Sequence, residues 1–180
     1  GRETGMHSRR IVSMADMHKA ALEVSITPLN WSGRLEIRSA LDGTVINSGV
    51  KRYRNLDGRH LEPVETRRIN ENTILLKVRT NQSRIEIAQA ARTGVFRDGE
   101  PVQVERKLTR EPAYIAQHLV LEVSRGERVV LEKTVALYTS RDNAISECAL
   151  EAEEAVSVAD RECRSALALM VRADPDRTSG

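Results

Sequence analysis

Two short runs of this 180-residue chain carry the side chains best suited to meeting a ligand or a partner. Asn30-Trp31-Ser32-Gly33-Arg34 contains the only tryptophan, and Arg59-His60 follows in a polar stretch rich in charge. An indole at a strand turn can stack on the apolar face of a sugar, or pack in a core or domain interface with its N–H satisfied. Aromatic residues make up 3% of the sequence, so Trp31 has no platform of neighbouring rings, and packing is the better use of it. Arg59 and His60 offer donors to a sugar hydroxyl or to a carboxylate of a neighbouring domain, and the arginine fork fits the carboxylate better. It is equally suited to fixing its loop to its own sheet. Asn30, Trp31, Arg59 and His60 are the candidate contact residues.

Catalytic arrangements are not legible in the sequence. Glycoside cleavage needs an acid and a base or nucleophile at a fixed separation, and no spacing selects Asp57 and Glu62 over the other carboxylates. There is no glycine-rich phosphate loop, nucleophile elbow or clustered Cys/His ligand set. The four histidines, His7, His18, His60 and His118, are dispersed. His118 lies in a strand whose other face carries Leu119 and Leu121, which suits a surface or hydrogen-bonded structural role. No catalytic residue, metal site or cofactor is nominated.

The elements that position these residues are mostly strands. Period-two alternation marks 8–14, 21–27 and 35–41, then a strand over 45–50 after Asp42-Gly43, whose dipeptide predicts a type I′ hairpin. Residues 51–63 have no clean period and read as a long ordered loop of the functional kind. A second hairpin joins 73–80 to Ile85 and Ile87. Asp98-Gly99 precedes Val102, Val104 and Leu108, and Ile115 to Val123 meets Val129 to Leu137 across Arg125-Gly126-Glu127. About ten strands with short turns imply an antiparallel sandwich or barrel over 1–140. From Ile145 the apolar period becomes three and four, predicting a linker helix within 141–173, ended by Asp174-Pro175 and followed by a frayed tail over 174–180.

Composition narrows the class. With 28 basic and 26 acidic residues interleaved and no apolar run of membrane-spanning length, neither nucleic acid nor membrane is the expected partner. Cys148 and Cys163 would stand ~22 Å apart on a continuous helix, beyond disulfide reach, and two free thiols favour the cytoplasm.

The blocks 9–16, 30–35, 39–43, Gly58-Arg59-His60-Leu61 and Arg79-Thr80-Asn81-Gln82-Ser83 occur in the order that resembles the N-terminal domain of glycoside hydrolase family 65. This family holds maltose, trehalose and kojibiose phosphorylases and some α,α-trehalose hydrolases. The likeness covers about residues 8 to 158. It implies a β-sandwich of the galactose-mutarotase-like type, here incomplete, then a helical linker and an (α/α)6 catalytic barrel outside this sequence. In the family a barrel glutamate protonates the leaving oxygen while inorganic phosphate, or activated water in the hydrolases, attacks with inversion. No catalytic residue transfers to this chain. Family domains begin upstream of Gly1, which implies unpaired sheet edges, and the run after Ala159 departs from the family linker, as a truncated or divergent gene would.

Three functions are therefore expected in turn. The first is a non-catalytic portion of an enzyme acting on α-linked glucose disaccharides. The others are a free-standing module binding α-linked glucosides, and a structural or interaction sandwich whose helical stripe, through Ala155 and Leu167, docks on a partner as a homodimer or a hetero-complex.

Overall fold

The structure, a computed structural model, describes residues 1–46, 58–143 and 147–157. Its strands are β1 (Thr4–Val12), β2 (Lys19–Pro28), β3 (Gly33–Asp42), β4 (Leu61–Arg68) and β5 (Thr73–Thr80), followed by β6 (Glu86–Arg97), β7 (Glu100–Pro101), β8 (Glu105–Glu111), β9 (Tyr114–Val123) and β10 (Val129–Thr139). They form two antiparallel sheets. The larger has the order β1-β2-β10-β6-β5-β4, with β7 hydrogen-bonded to β6, and the smaller is β3-β9-β8. Helix α1, residues 148–157, lies on the outer face of the larger sheet.

Alternation explains the inner layer. Ile74, Leu76 and Val78 of β5 point inward with Leu41 and Ile115, while Val95, Leu119, Leu121, Val129 and Leu131 fill the other half of the core. Between these apolar halves lies a polar layer. Ser39 Oγ and Thr93 Oγ1 are 2.9 Å apart, and Arg106 donates to Gln117 Oε1 at 3.1 Å and to the Thr93 carbonyl at 3.0 Å. Gln117 in turn donates to the Glu71 carbonyl at 3.0 Å. Buried polar groups paired in this way avoid most of their desolvation cost.

Several expectations are corrected. The Asp42-Gly43 hairpin does not form: Asp42 is paired with Tyr114 of β9, and the Gly43 amide donates to the Ala113 carbonyl at 2.7 Å. Gly43 is without the positive φ that a type I′ turn requires, and Ile46 bridges instead to Arg59. Asp98-Gly99 is the place where both turn residues have positive φ, 49° and 84°, and there the chain closes β6 onto β7. Strands β9 and β10 meet by facing each other across the core rather than by pairing, since they belong to different sheets. The loop expected over 51–63 ends earlier, because 61–63 belongs to β4, an edge strand bulged between Pro63 and Glu65. Residues 47–57 lie outside the described residues, as do 144–146 and 158–180; within the expected helix, 148–157 are helical and 141–143 form a turn.

Candidate functional site

Asn30 and Trp31 sit in the turn from β2 to β3, where Pro28 ends the ladder because it has no amide to donate. Both reach back to the chain's first residues. Asn30 Oδ1 accepts from the Glu3 amide at 2.8 Å and its Nδ2 donates to the Gly1 carbonyl at 3.1 Å. Trp31 Nε1 donates to Thr4 Oγ1 at 3.0 Å, its ring rests against the Val95 and Leu119 cluster, and Arg2 lies 5.1 Å from the ring centroid. The indole thus ties β1 to the core.

Arg59 and His60 lie elsewhere. They precede β4, where Asn81 donates its side-chain amide to the Arg59 carbonyl at 3.0 Å and its backbone amide to the His60 carbonyl at 3.0 Å. Trp31 adjoins β1 and His60 adjoins β4, the two edges of the larger sheet. Five strand spacings of about 4.8 Å separate these edges by roughly 24 Å before any offset along the strands. One sugar residue cannot touch both. Arg59 instead borders a cavity of about 440 Å³ with Val45, Ile46, Leu61, Pro63 and Pro112. Those walls are aliphatic and offer no aromatic plane, so they suit a protein side chain better than a pyranose.

His118 and His18 have local partners. His118 Nε2 is 3.1 Å from Thr109 Oγ1 and its Nδ1 is 3.4 Å from Glu36, while His18 stacks on Tyr138 with centroids 4.0 Å apart. Glu62 receives hydrogen bonds from Arg79 at 3.1 Å and Arg84 at 2.9 Å. The Arg79 contact above all holds its carboxyl below the usual range, which makes it a poor proton donor near neutrality.

A charged constellation among the described residues mounts α1 on the sheet. Lys77 on β5 donates to Glu147 at 2.7 Å and pairs with Glu86 at 2.7 Å, and Arg67 on β4 contacts Glu153 at 2.7 Å. Glu147 also caps the helix, accepting from the Leu150 amide at 2.8 Å. Burial opposes the charge on Lys77, yet its two carboxylate partners outweigh that and raise its pKa. Burial likewise works against ionised Glu147, but Lys77 and the amides of Ala149 and Leu150 bring its pKa down. Ligand atoms of Glu86, Glu147 and Cys148 all lie within 4.8 Å of one another. The Lys77 ammonium already neutralises both carboxylates, and burial pushes the Cys148 thiol up, so this is an ion-paired clamp rather than a metal cradle. Beneath it Cys148, Ala149, Ala152 and Val156 pack on Leu75, Ala88, Ala90 and Ala136, whose short side chains let the helix lie close. Sequence reasoning missed this face; the unbroken run Ile74-Leu75-Leu76 was its signal, since a strand apolar in both phases is covered on both sides. No helix among the described residues is long and apolar enough to cross a membrane.

Comparison with known proteins agrees with this architecture. The profile of the glycosyl hydrolase family 65 N-terminal domain matches residues 1–169. An uncharacterized glycosyl hydrolase of Mycobacterium tuberculosis is 37% identical over 161 residues, covering 89% of this chain and 12% of that protein. A kojibiose phosphorylase of Thermoanaerobacter brockii is 28% identical, covering 78% of this chain and 18% of the enzyme; for the α,α-trehalose phosphorylase of the same organism the figures are 28%, 74% and 17%. The solved structure of a putative kojibiose phosphorylase from the human microbiome superposes with a TM-score of 0.68 at 14% identity, covering 90% of this chain and 19% of that one. The chain therefore spans less than a fifth of each of these relatives. With the ordered blocks around Trp31, the profile match over nearly the whole sequence and the shared mainly-β fold, this chain belongs to the N-terminal domain of glycosyl hydrolase family 65.

Proposed function

We infer that this chain is the non-catalytic β-sandwich portion of a protein that phosphorolyses or hydrolyses α-linked glucose disaccharides. Inorganic phosphate is the co-substrate in the phosphorylase case, and an (α/α)6 barrel outside this sequence is the catalytic partner. The observation that carries this is the match of the family's N-terminal domain to residues 1–169, with kojibiose and trehalose phosphorylases among the relatives. The clamped helix supports it: after the last strand of the sandwich, α1 is held on the sheet by two ionic contacts and an apolar seam. Arg59 and His60, beside the aliphatic cavity, are the proposed contacts with the barrel domain, and Asn30 and Trp31 serve the β1 edge. The free, buried Cys148 fits a cytoplasmic protein.

The test is to incubate the 180-residue chain with kojibiose, trehalose and maltose, with and without inorganic phosphate, and to measure release of glucose and glucose 1-phosphate. No turnover is expected. Saturable turnover of any of the three, lost with a point substitution in this chain, would place chemistry inside the sandwich and overturn the assignment.

A further inference from the structure

The outer face of the β3-β9-β8 sheet carries a trough that neither the core nor α1 uses. Cross-strand register sets Asp42, Tyr114 and Glu111 in one row and Arg38 beside His118 in another, with Ala40, Ala116 and Thr109 in the row between. The outer rows are four residues apart along the strands, about 14 Å at ~3.4 Å per residue, and Thr109 of the middle row borders the space between them. The result is a cavity of about 430 Å³ between a carboxylate-phenol wall and an arginine-histidine wall. Its size falls in the range of small-molecule sites.

The polar groups on these walls are in two states. Asp42 is oriented by the Thr44 amide and hydroxyl, at 2.8 and 2.7 Å on Oδ1, and His118 by Thr109 and Glu36. The Arg38 guanidinium, the Glu111 carboxylate and the Tyr114 hydroxyl make no hydrogen bond or ion pair among the described residues. One wall therefore accepts hydrogen bonds, the other donates them, and the phenol does both. An anion would be opposed by Asp42 and Glu111, and a cation by Arg38. A neutral ring bearing adjacent hydroxyls satisfies both walls at once, and its C–H face lies on the Tyr114 ring.

We propose that this trough binds a neutral hexopyranose unit. The choice of glucose as that unit rests on the carbohydrate-processing assignment above; the trough's preference for a neutral polyol does not. Arg38 and Glu111 are the discriminating contacts and Tyr114 is the stacking surface.

Isothermal titration of the whole 180-residue chain with maltose, in parallel with inorganic phosphate, tests this. Saturable binding of maltose is expected, weakened about tenfold by Arg38→Gln and by Glu111→Gln, and about threefold by Tyr114→Phe, which keeps the ring. Arg38 and Glu111 are exposed, so these changes leave the urea midpoint followed by Trp31 fluorescence where it was. Absence of saturable heat at ~50 mM maltose, binding that survives both glutamine variants, or tighter binding of phosphate than of maltose would each overturn the proposal. Failure of binding leaves the non-catalytic assignment untouched, because that assignment is read by turnover and this one by affinity.

Discussion

Replacing Lys77 with methionine should loosen α1 from the sheet. The Lys77 side chain is 12% exposed, while Glu86 and Glu147 are 31% and 36% exposed. Removing one partner of a fully buried pair costs about 3–5 kcal/mol, and exposed pairs contribute about 0–1 kcal/mol. Without the ammonium the two carboxylates face each other within 4.8 Å, and each can turn partly into water. The expected loss is therefore about 2 kcal/mol, or about 1 M in the urea midpoint at an m-value near 2 kcal/mol/M. Glu147→Gln keeps the helix-capping oxygen and should cost about 1–2 kcal/mol. In the double variant the two losses should fall short of additivity by about 1 kcal/mol, because they share one interaction. The pH dependence has a definite sign. The pKa of Glu147 is lowered on folding, so its contribution is complete above 4.5 and fades as pH falls through the folded value. That of Lys77 is raised, so its contribution is complete below 10.5 and fades as pH rises through the folded value. The gap between wild type and Lys77→Met should be flat between these limits and narrow on both sides. Full additivity, or a gap indifferent to acid, would refute the clamp.

Three further outcomes are expected from the core and the turns. Gly43→Ala places a Cβ 2.6 Å from Val78 Cγ1 and 3.2 Å from the Ala113 carbonyl, and should cost about 1–3 kcal/mol in a urea melt. Gln117→Leu removes one of the two acceptors of Arg106 and the donor to the Glu71 carbonyl in the polar layer, and should cost about 2–3 kcal/mol in the same experiment. Trp31→Phe keeps the ring against the core but drops the hydrogen bond to Thr4, so it should cost about 1 kcal/mol by far-UV melting and leave maltose affinity unchanged.

Local pattern was readable wherever the fold obeys it locally. Strands β2 and β10 follow their alternation, and the hairpin of β5 with β6 follows from its short turn. The two Asp-Gly dipeptides show where local chemistry stops deciding. Asp98-Gly99 turns because β7 pairs with the strand just before it, whereas Asp42-Gly43 does not, because β3 takes its partner from residues 114–123. Strand β6 was only half visible, since Ala88, Ala90, Ala91 and Gly94 have weak strand preference and owe their place to the helix above and the core below. Strand β4 was hidden by Pro63 and its bulge. The candidate contacts were visible as residue types but not as a site. Trp31 and His60 stand at opposite edges of one sheet, and the trough joins Arg38, Glu111 and Tyr114 through a three-strand register that no sequence spacing encodes.

The polar layer and the trough use similar side chains to different ends. Inside, Arg106, Gln117, Thr93 and Ser39 are paired with one another, and a shift of one sheet against the other would leave buried donors without acceptors. That penalty sets the register of two apolar half-cores that would otherwise slide at little cost. Outside, on strands β3, β8 and β9, exposed Arg38 and Glu111 and half-buried Tyr114 are left without partners among the described residues. Substituting exposed groups of this kind changes stability by only about 0.5 kcal/mol either way, so the fold does not require this combination. Packing accounts for the inner arginine, whereas the outer one stays available to the ligand proposed above.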